Sequence, residues 1–220
     1  MVQPKNFKFP FSQESACIAL HDGVFFIPPQ VEIGTFQFPG WEAYFQEPAP
    51  VHVEFCSGNG SWIIEKALAF PSINWVAVEK RYDRVRKIWS KRTNSGIKNL
   101  LIVFGDARVF MKEYMPQQSV SEIYINFPDP WPKRRHAKHQ IVNDLLFQEA
   151  KRVIIPEGRL IFVTDDEPYS SYFIERQQHC TSHFKQAMEK ASVPENYGTS
   201  FFHDLFLSQG KKIHYHEIIY

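Results

Sequence analysis

The chain has 220 residues, 44% of them hydrophobic, and a formal net charge of +1, so it is long enough for one well-buried α/β domain and too short for two ordinary domains. Its three cysteines are widely separated and form no Cys-x-x-Cys pair, which argues against a disulfide framework or a cysteine zinc site and favours a reducing compartment. No apolar run reaches the roughly 18 residues of a membrane helix, and no signal-peptide pattern is present, so we expect a cytoplasmic protein without a membrane partner.

The first 50 residues are rich in proline and phenylalanine and show no long helical periodicity. This composition predicts an irregular N-terminal extension at 1–50 with a short strand at Gly23–Ile27. The remaining residues, 51–220, are predicted to form a single α/β domain.

From Val51 onward, short apolar segments alternate with helix-length amphipathic segments. The predicted strands are 51–55, 74–79, 100–104, 121–127 and 159–164, and the predicted helices are about 60–69, 82–94, 107–114, 140–154 and 167–179. This alternation predicts a Rossmann-like, mostly parallel, doubly wound sheet whose ligands bind at the carboxyl ends of the strands. Residues 211–219 are predicted to add an antiparallel C-terminal edge strand.

The first three of these strands end in residues that suit an adenosine. Gly58 and Gly60 form a turn that lets the backbone approach a ligand closely. Glu79 closes the next strand, where a carboxylate can accept both hydroxyls of a ribose. Asp106 and Ala107 follow the third strand, where they can lie beside an adenine. Each turn alone is compatible with an ordinary β-to-α connection, but the three together favour a nucleoside cofactor.

Glu54, just before the glycine turn, discriminates between cofactors. A diphosphate over this turn, as in a nicotinamide enzyme, would be repelled by the carboxylate, whereas S-adenosylmethionine carries an ammonium and a sulfonium. Glu54 therefore favours S-adenosylmethionine. A purely structural acid, hydrogen-bonded to the turn, is the alternative.

The fourth strand runs into a proline-braced loop, Asn126-Phe-Pro-Asp-Pro-Trp131. Because proline restricts both its own backbone and that of the preceding residue, Asp129 is held in a stiff segment. A cationic run follows and suits a polyanion; its members are Lys133, Arg134, Arg135, His136, Lys138 and His139. A solvated turn with a basic rim is the alternative. A second basic block lies at 80–92, where Trp89 is a candidate for stacking on a base or ribose.

The stretch Ile125-Asn-Phe-Pro-Asp-Pro-Trp-Pro-Lys133 closely resembles the bacterial tRNA (guanine-N7)-methyltransferase family, and the resemblance extends over about residues 50–219. It implies an S-adenosylmethionine-dependent methyltransferase domain at 51–220 acting on N7 of a tRNA guanine, the variable-loop guanine at position 46 in tRNA numbering. It places Glu54, Glu79 and Asp106 at cofactor contacts, and the strand ends add Gly58, Gly60, Ala107, Asn126 and Asp129 to the predicted cofactor set. It places Lys133 and Asp165 at guanine or tRNA contacts and aligns Ser200, Phe202 and His203 with a pocket segment of the family; the cationic run adds Arg134, Arg135 and Lys138 as predicted substrate contacts.

Two positions depart from the family pattern. Cys56 stands where the family has the first glycine of its turn, so this turn must accept a side chain. The family's Thr-x-Phe-Glu segment corresponds to Ser200-Phe201-Phe202-His203. Ser200 keeps a hydroxyl, but His203 cannot supply the anion that glutamate provides.

By the same resemblance Asp129 is the catalytic residue. Guanine N7 has an in-plane lone pair and carries no proton at neutral pH, so no general base is obligatory. We expect Asp129 to orient the reactants and to stabilise developing positive charge. We expect Lys133 to reach guanine O6 or a phosphate, and Asp165 to accept from the Watson–Crick edge.

Two other functions remain open at this point. One is methylation of an exocyclic base amine in DNA or RNA with the same fold and cofactor. The other is a non-catalytic RNA-binding module with a degenerate cofactor pocket. His214 and His216 alternate on one face of the terminal strand, but no third ligand is evident, so no metal is predicted. The sequence is compatible with a monomer or a homodimer.

Overall fold

The computed structural model describes residues 9–11, 18–29, 36–131, 140–190, 192–194, 197–198 and 201–220. The chain divides into two compact units, Met1–Pro116 and Gln117–Tyr220. Within the described ranges, no helix combines the length and apolar character that a membrane crossing requires.

The first unit contains five strands and three helices among its described residues. The strands are β1 (Ala19–His21), β2 (Val24–Phe26), β3 (Val51–Phe55), β4 (Asn74–Glu79) and β5 (Leu100–Phe104). The helices are α1 (Ser61–Ala69), α2 (Tyr82–Asn94) and α3 (Ala107–Glu113). Strands β2, β5, β4 and β3 pair in parallel in that order, and β1 pairs antiparallel with β2.

Burial explains why β3, β4 and β5 form where the apolar segments predicted them. Every residue of these three strands is buried, as expected for parallel strands covered on both faces. Strand β2 confirms the short strand predicted near residue 24, and its Phe25 and Phe26 lie in the core of this unit. The described part of residues 1–50 therefore contributes to that core, while the domain boundary at residue 50 stays a prediction.

The second unit contains four strands, three α-helices and a short 3-10 helix at Thr181–His183 among its described residues. The strands are β6 (Val120–Asn126), β7 (Ile154–Thr164), β8 (Gln186–Lys190) and β9 (His214–Ile219). The helices are α4 (Asp144–Val153), α5 (Glu167–His179) and α6 (Phe201–Ser208). Strands β6 and β7 are parallel, whereas β9 is antiparallel to both β7 and β8.

The predicted fold class is confirmed: the sheet strands are mostly parallel, and antiparallel strands follow at the C-terminal side. The C-terminal strand forms as β9, which pairs on both sides, with β7 and with β8. Strand β8 was not predicted from the sequence. Its sequence, Gln-Ala-Met-Glu-Lys, has few of the β-branched and aromatic residues that favour strands.

Candidate active site

The turn between β3 and α1 has the tight backbone that the sequence predicts. Gly58 and Gly60 have φ values of 56° and 73°. The Ser57 amide donates to the Val78 carbonyl at 3.1 Å, and its hydroxyl donates to the Glu54 carbonyl at 3.0 Å. These bonds fix the turn to the ends of β3 and β4.

Gly60 is required at its position for two independent reasons. Its φ of +73° lies in the left-handed region, and a Cβ added here would lie 2.7 Å from Cγ1 of Ile88 on α2. Real Cβ atoms do not approach a neighbour so closely, because the two atoms would overlap. The packed interior leaves little room for Ile88 to move away. Helix α1 can therefore begin this close to α2 only after a glycine.

Cys56 has a backbone conformation that glycine adopts more readily. Its φ is +60°, a conformation that costs a residue with a Cβ about 1–2 kcal/mol. Its side chain is half-buried and forms no disulfide. Cys56 therefore adopts a strained backbone conformation in this turn.

Glu79 joins the first turn to the second. One carboxylate oxygen accepts from the Gly58 amide at 2.9 Å, and the other accepts from the amides of Lys80 and Arg81, each at 2.9 Å. Burial raises the pKa of Glu79, although these hydrogen bonds and the Arg84 charge act in the opposite direction. A carboxylate has about four acceptor positions, so the predicted ribose contact would share this group with the backbone of both turns.

Glu54 lies inside β3 with 2% of its surface exposed. An acid buried at this depth is unusual unless it has a specific partner or function. Its proposed role toward a cationic ligand stays a prediction.

Asp106 is held by a partner that the sequence analysis did not identify. Its carboxylate caps α3 by accepting from the Arg108 amide at 3.0 Å. It also pairs with the Arg108 guanidinium through Nε at 3.0 Å and Nη2 at 2.8 Å. Burial alone would raise the pKa of Asp106, but the hydrogen bonds and charge of Arg108 hold it below the ordinary value. Ala107 is the first residue of the capped helix.

We expect Arg108→Met to raise the pKa of Asp106 and to lower the unfolding free energy at neutral pH by no more than about 1 kcal/mol, since the pair is partly solvated. A depressed carboxyl pKa stabilises the fold above the unfolded pKa of about 3.9, and this contribution is lost as the pH falls through the lower folded pKa. Urea unfolding of both proteins at neutral and acidic pH measures the difference. A difference that does not shrink with acidification would contradict the assignment.

In the second unit, the loop after β6 is anchored at both ends. The Phe127 amide donates to the Val163 carbonyl at 2.8 Å, and the Gln140 side-chain amide donates to the Pro130 carbonyl at 2.7 Å. Phe127 and Trp131 both have a φ of 46°, which is rare for bulky residues and is typical of functional loops. Asp129 is exposed between these anchors, and no side chain in the described part of the chain hydrogen-bonds to its carboxylate.

Asn126, the last residue of β6, is buried and has a specific partner. Its side-chain oxygen accepts a hydrogen bond from the Tyr197 hydroxyl, and Tyr197 is itself buried. This bond fixes the orientation of the Asn126 amide. Tyr197 was not predicted as a site residue, because nothing in the local sequence links it to a strand 71 positions away. The cofactor role of Asn126 stays a prediction.

Helix α6 and the loop after β6 meet through aromatic rings. The Phe127 ring lies 5.6 Å from Phe206 and 6.3 Å from His203, distances typical of favourable ring pairs. Phe202 stacks on Phe206 at 6.0 Å. The structure thus brings the predicted Phe202 and His203 to the loop that carries Asp129.

A lysine that the sequence analysis did not predict completes this cluster. Lys211 pairs with Asp165 at 2.5 Å, and its ammonium lies 4.3 Å from the centre of the Phe206 ring. Asp165, at the end of β7, is therefore neutralised by Lys211. To accept a hydrogen bond from a base edge, Asp165 would have to share its carboxylate with this lysine.

The predicted tRNA contacts and the predicted stacking role of Trp89 have different outcomes. Lys133, Arg134, Arg135 and Lys138, together with Ser200, lie outside the described residues, so their predicted substrate contacts stay predictions. The stacking role for Trp89 is wrong: its ring is 4% exposed, and its indole N–H donates to Asp22 at 3.0 Å. Trp89 lies with Val85 and Ile88 on the buried face of α2 and therefore belongs to the core of the first unit.

Comparison with known proteins gives consistent matches along nearly the whole chain. A family model described as "Putative methyltransferase" matches residues 48–215. The chain is 43% identical over 215 residues to a tRNA (guanine-N(7)-)-methyltransferase of Chlamydia muridarum, which covers 96% of this chain and 95% of that protein. It is 39% identical over 219 residues to the protein of the same name in Chlamydia caviae, with 99% and 98% covered.

Solved structures show the same fold at lower sequence identity. The crystal structure of the 16S rRNA methyltransferase KamB superposes with a TM-score of 0.60 and 15% identity, covering 81% of this chain and 91% of that chain. This similarity places the chain in the methyltransferase fold.

Proposed function

The chain belongs to the tRNA (guanine-N7)-methyltransferase family, and from this membership we propose that its target is the guanine at position 46, in the variable loop of tRNA. The reaction is transfer of a methyl group from S-adenosylmethionine to N7 of a tRNA guanine. The observation that carries the proposal is the full-length match to such enzymes at 43% identity, together with the exposed Asp129 in its anchored proline loop.

The residues of the first unit fit S-adenosylmethionine. Gly58 and Gly60 have left-handed φ values and no side chains, so the turn lets a ligand approach the backbone closely. The buried Glu54 suits a cationic ligand. When bound, S-adenosylmethionine supplies an electrophilic methyl group on a sulfonium. The residues that would hold it are Glu54, Gly58, Gly60, Glu79, Asp106 and Ala107.

Asp129 orients the guanine and opposes the positive charge that develops on it. Guanine N7 attacks with a lone pair that is free at neutral pH, so Asp129 removes no proton. The product base is cationic, and an anion positioned before the reaction stabilises that charge without reorganisation. The carboxylate is exposed and therefore accessible to the N1 or N2 protons of a guanine. Attack by N7 also needs no metal.

We assign tRNA contacts to the cationic segment after the loop, namely Lys133, Arg134, Arg135 and Lys138, and to Asp165, Ser200, Phe202 and His203. The rings of Phe202 and His203 meet the loop through Phe206 and Phe127, which suits stacking on an extruded base. Since tRNA is the substrate, we place the enzyme in the cytoplasm. We propose a monomer or a homodimer.

The target atom and position are tested with three tRNA transcripts. One carries the native guanine at position 46, one carries adenine there, and one carries 7-deazaguanine, which lacks N7 but keeps the Watson–Crick edge. We expect methyl incorporation only into the first. Incorporation into the 7-deaza transcript would contradict N7 as the acceptor, and incorporation into the adenine transcript would contradict the position.

Neutralising Arg134, Arg135 and Lys138 with glutamine should weaken tRNA binding and reduce the slope of log affinity against log salt by about 3, if each cation contacts one phosphate. Binding titrations across a salt series measure this slope. The matched control replaces Lys98, Lys112 and Lys185, which carry the same total charge at other places in the chain. An equal loss of slope in the control would show that only net charge matters, and an unchanged slope in the first variant would place tRNA elsewhere.

A further inference from the structure

Three potential metal ligands of the second unit lie together on strands β8 and β9. They are Glu189, His214 and His216, and their ligand atoms all lie within 4.8 Å of one another. None of the three belongs to the residues assigned above to cofactor or tRNA.

The strand register explains why they meet. Glu189 is directly opposite His216 in the antiparallel pair of β8 and β9. His214 precedes His216 by two positions and therefore lies on the same face of β9. The sequence predicted no metal because a third ligand was missing. Strand β8, which was not predicted, supplies it.

The donor set is one that binds zinc. Two imidazoles and one carboxylate form a common three-ligand arrangement that leaves a fourth position for solvent or another ligand. Both histidines are buried, at 7% and 1% exposure, whereas Glu189 is exposed and gives the group access to solvent.

The surroundings orient the ligands before any ion binds. The Ser170 hydroxyl is 2.8 Å from Nε2 of His216, and Nδ1 of His214 is 3.3 Å from a Glu189 oxygen. The Ser170 contact is of the kind that orients a metal ligand, whereas the contact between His214 and Glu189 joins two of the three groups. The Phe162 and Phe173 rings pack near His216 at 6.0 Å and 5.2 Å.

The charges beside His216 are mixed. Glu189 is an anion and a member of the group, whereas Lys212 is a cation whose charge opposes a bound metal ion.

We propose that Glu189, His214 and His216 form a binding site for a divalent transition-metal ion, with zinc as the ion that best suits the donors. The ion would link β8 to β9 through these three side chains. It takes no part in methyl transfer, so this proposal is independent of the proposed function.

Calorimetric titration of the metal-free full-length protein with zinc tests the site. We expect one zinc ion per chain. Glu189→Gln and His214→Gln should each reduce the affinity about 100-fold or more, and Ser170→Ala, which affects only the orientation of His216, about 10-fold. His21→Gln is the matched control, because His21 lies on β1 in the first unit, and it should leave the affinity unchanged.

Two further measurements distinguish metal binding from a structural role of the same residues. Thermal unfolding without metal shows whether each variant is folded, and zinc should raise the midpoint of the wild type but not that of folded Glu189→Gln. Cobalt should give the visible absorption of a tetrahedral site in the wild type and lose it in this variant. Absence of stoichiometric zinc binding, or equal binding by Glu189→Gln, would overturn the proposal and leave a histidine–glutamate pair of the sheet.

Discussion

Asp129→Asn should lower the rate of methyl transfer about 100- to 1000-fold while leaving tRNA affinity nearly unchanged. The substitution keeps the size of the side chain and removes the negative charge that opposes the charge developing on the guanine. Removal of one preorganised electrostatic partner typically costs this much in turnover. Because Asp129 is exposed and no described side chain hydrogen-bonds to it, the variant should fold normally.

Single-turnover transfer of labelled methyl to tRNA measures this effect without interference from product release. Glu157→Gln is the matched control: it neutralises an exposed carboxylate in the first half of β7, paired with Lys185, and should transfer methyl at the wild-type rate. Transfer by Asp129→Asn within a few-fold of the wild type would remove Asp129 from the mechanism. A parallel loss in the control would show that the effect is not specific to the loop.

Gly60→Ala should destabilise the protein by about 2–4 kcal/mol and weaken S-adenosylmethionine binding. The left-handed φ of +73° costs about 1–2 kcal/mol for alanine, and a Cβ 2.7 Å from Ile88 adds about 1–3 kcal/mol of overpacking. The smaller unfolded-state entropy of alanine offsets about 0.4–1 kcal/mol.

Gly96→Ala separates the two costs. Gly96 has a similar φ of +65°, but no heavy atom lies within 4 Å of its added Cβ. This control should lose only about 1 kcal/mol and should keep its cofactor affinity. Urea unfolding and calorimetry with S-adenosylmethionine measure both effects. Equal losses in the two variants would show that contact with Ile88 does not constrain the turn.

Much of the fold was predictable because its signals are local. The predicted ranges of β3, β4, β5, α2 and α5 match the structure residue for residue, since continuous apolar strands and amphipathic helices carry their own patterns. Strands β1 and β8 were missed because both are short; β1 forms a hairpin with the adjacent β2, whereas β8 pairs with β9, which lies far along the chain. Helix α6 was also missed; it spans only eight residues, Phe201–Ser208.

The site residues at the strand ends were predictable from the sequence, but the side-chain contacts between distant residues were not. Acidic residues and glycines that follow parallel strands gather at one edge by topology alone, which is why Glu79 and Asp106 could be proposed. The interaction of Glu79 with two backbone turns depends on side-chain reach, which a sequence pattern does not encode. The same holds for Tyr197 at Asn126 and Lys211 at Asp165.

Trp89 shows that a tryptophan among basic residues in the sequence does not by itself identify a nucleic-acid-binding surface. A tryptophan among seven basic residues at 80–92 suggested base stacking. In the structure, Arg86 and Lys87 are exposed on α2, whereas Trp89 lies on its buried face and donates to Asp22. Helical periodicity therefore decides which of these side chains can meet a ligand.

The most direct test of the account is the identity of the methylated nucleoside. Unmodified tRNA is incubated with the protein and S-adenosylmethionine that carries an isotopically labelled methyl group, then digested completely and analysed by mass spectrometry. We expect the label to appear in 7-methylguanosine. Label in a nucleoside methylated on an exocyclic amine, or no label in tRNA at all, would contradict it.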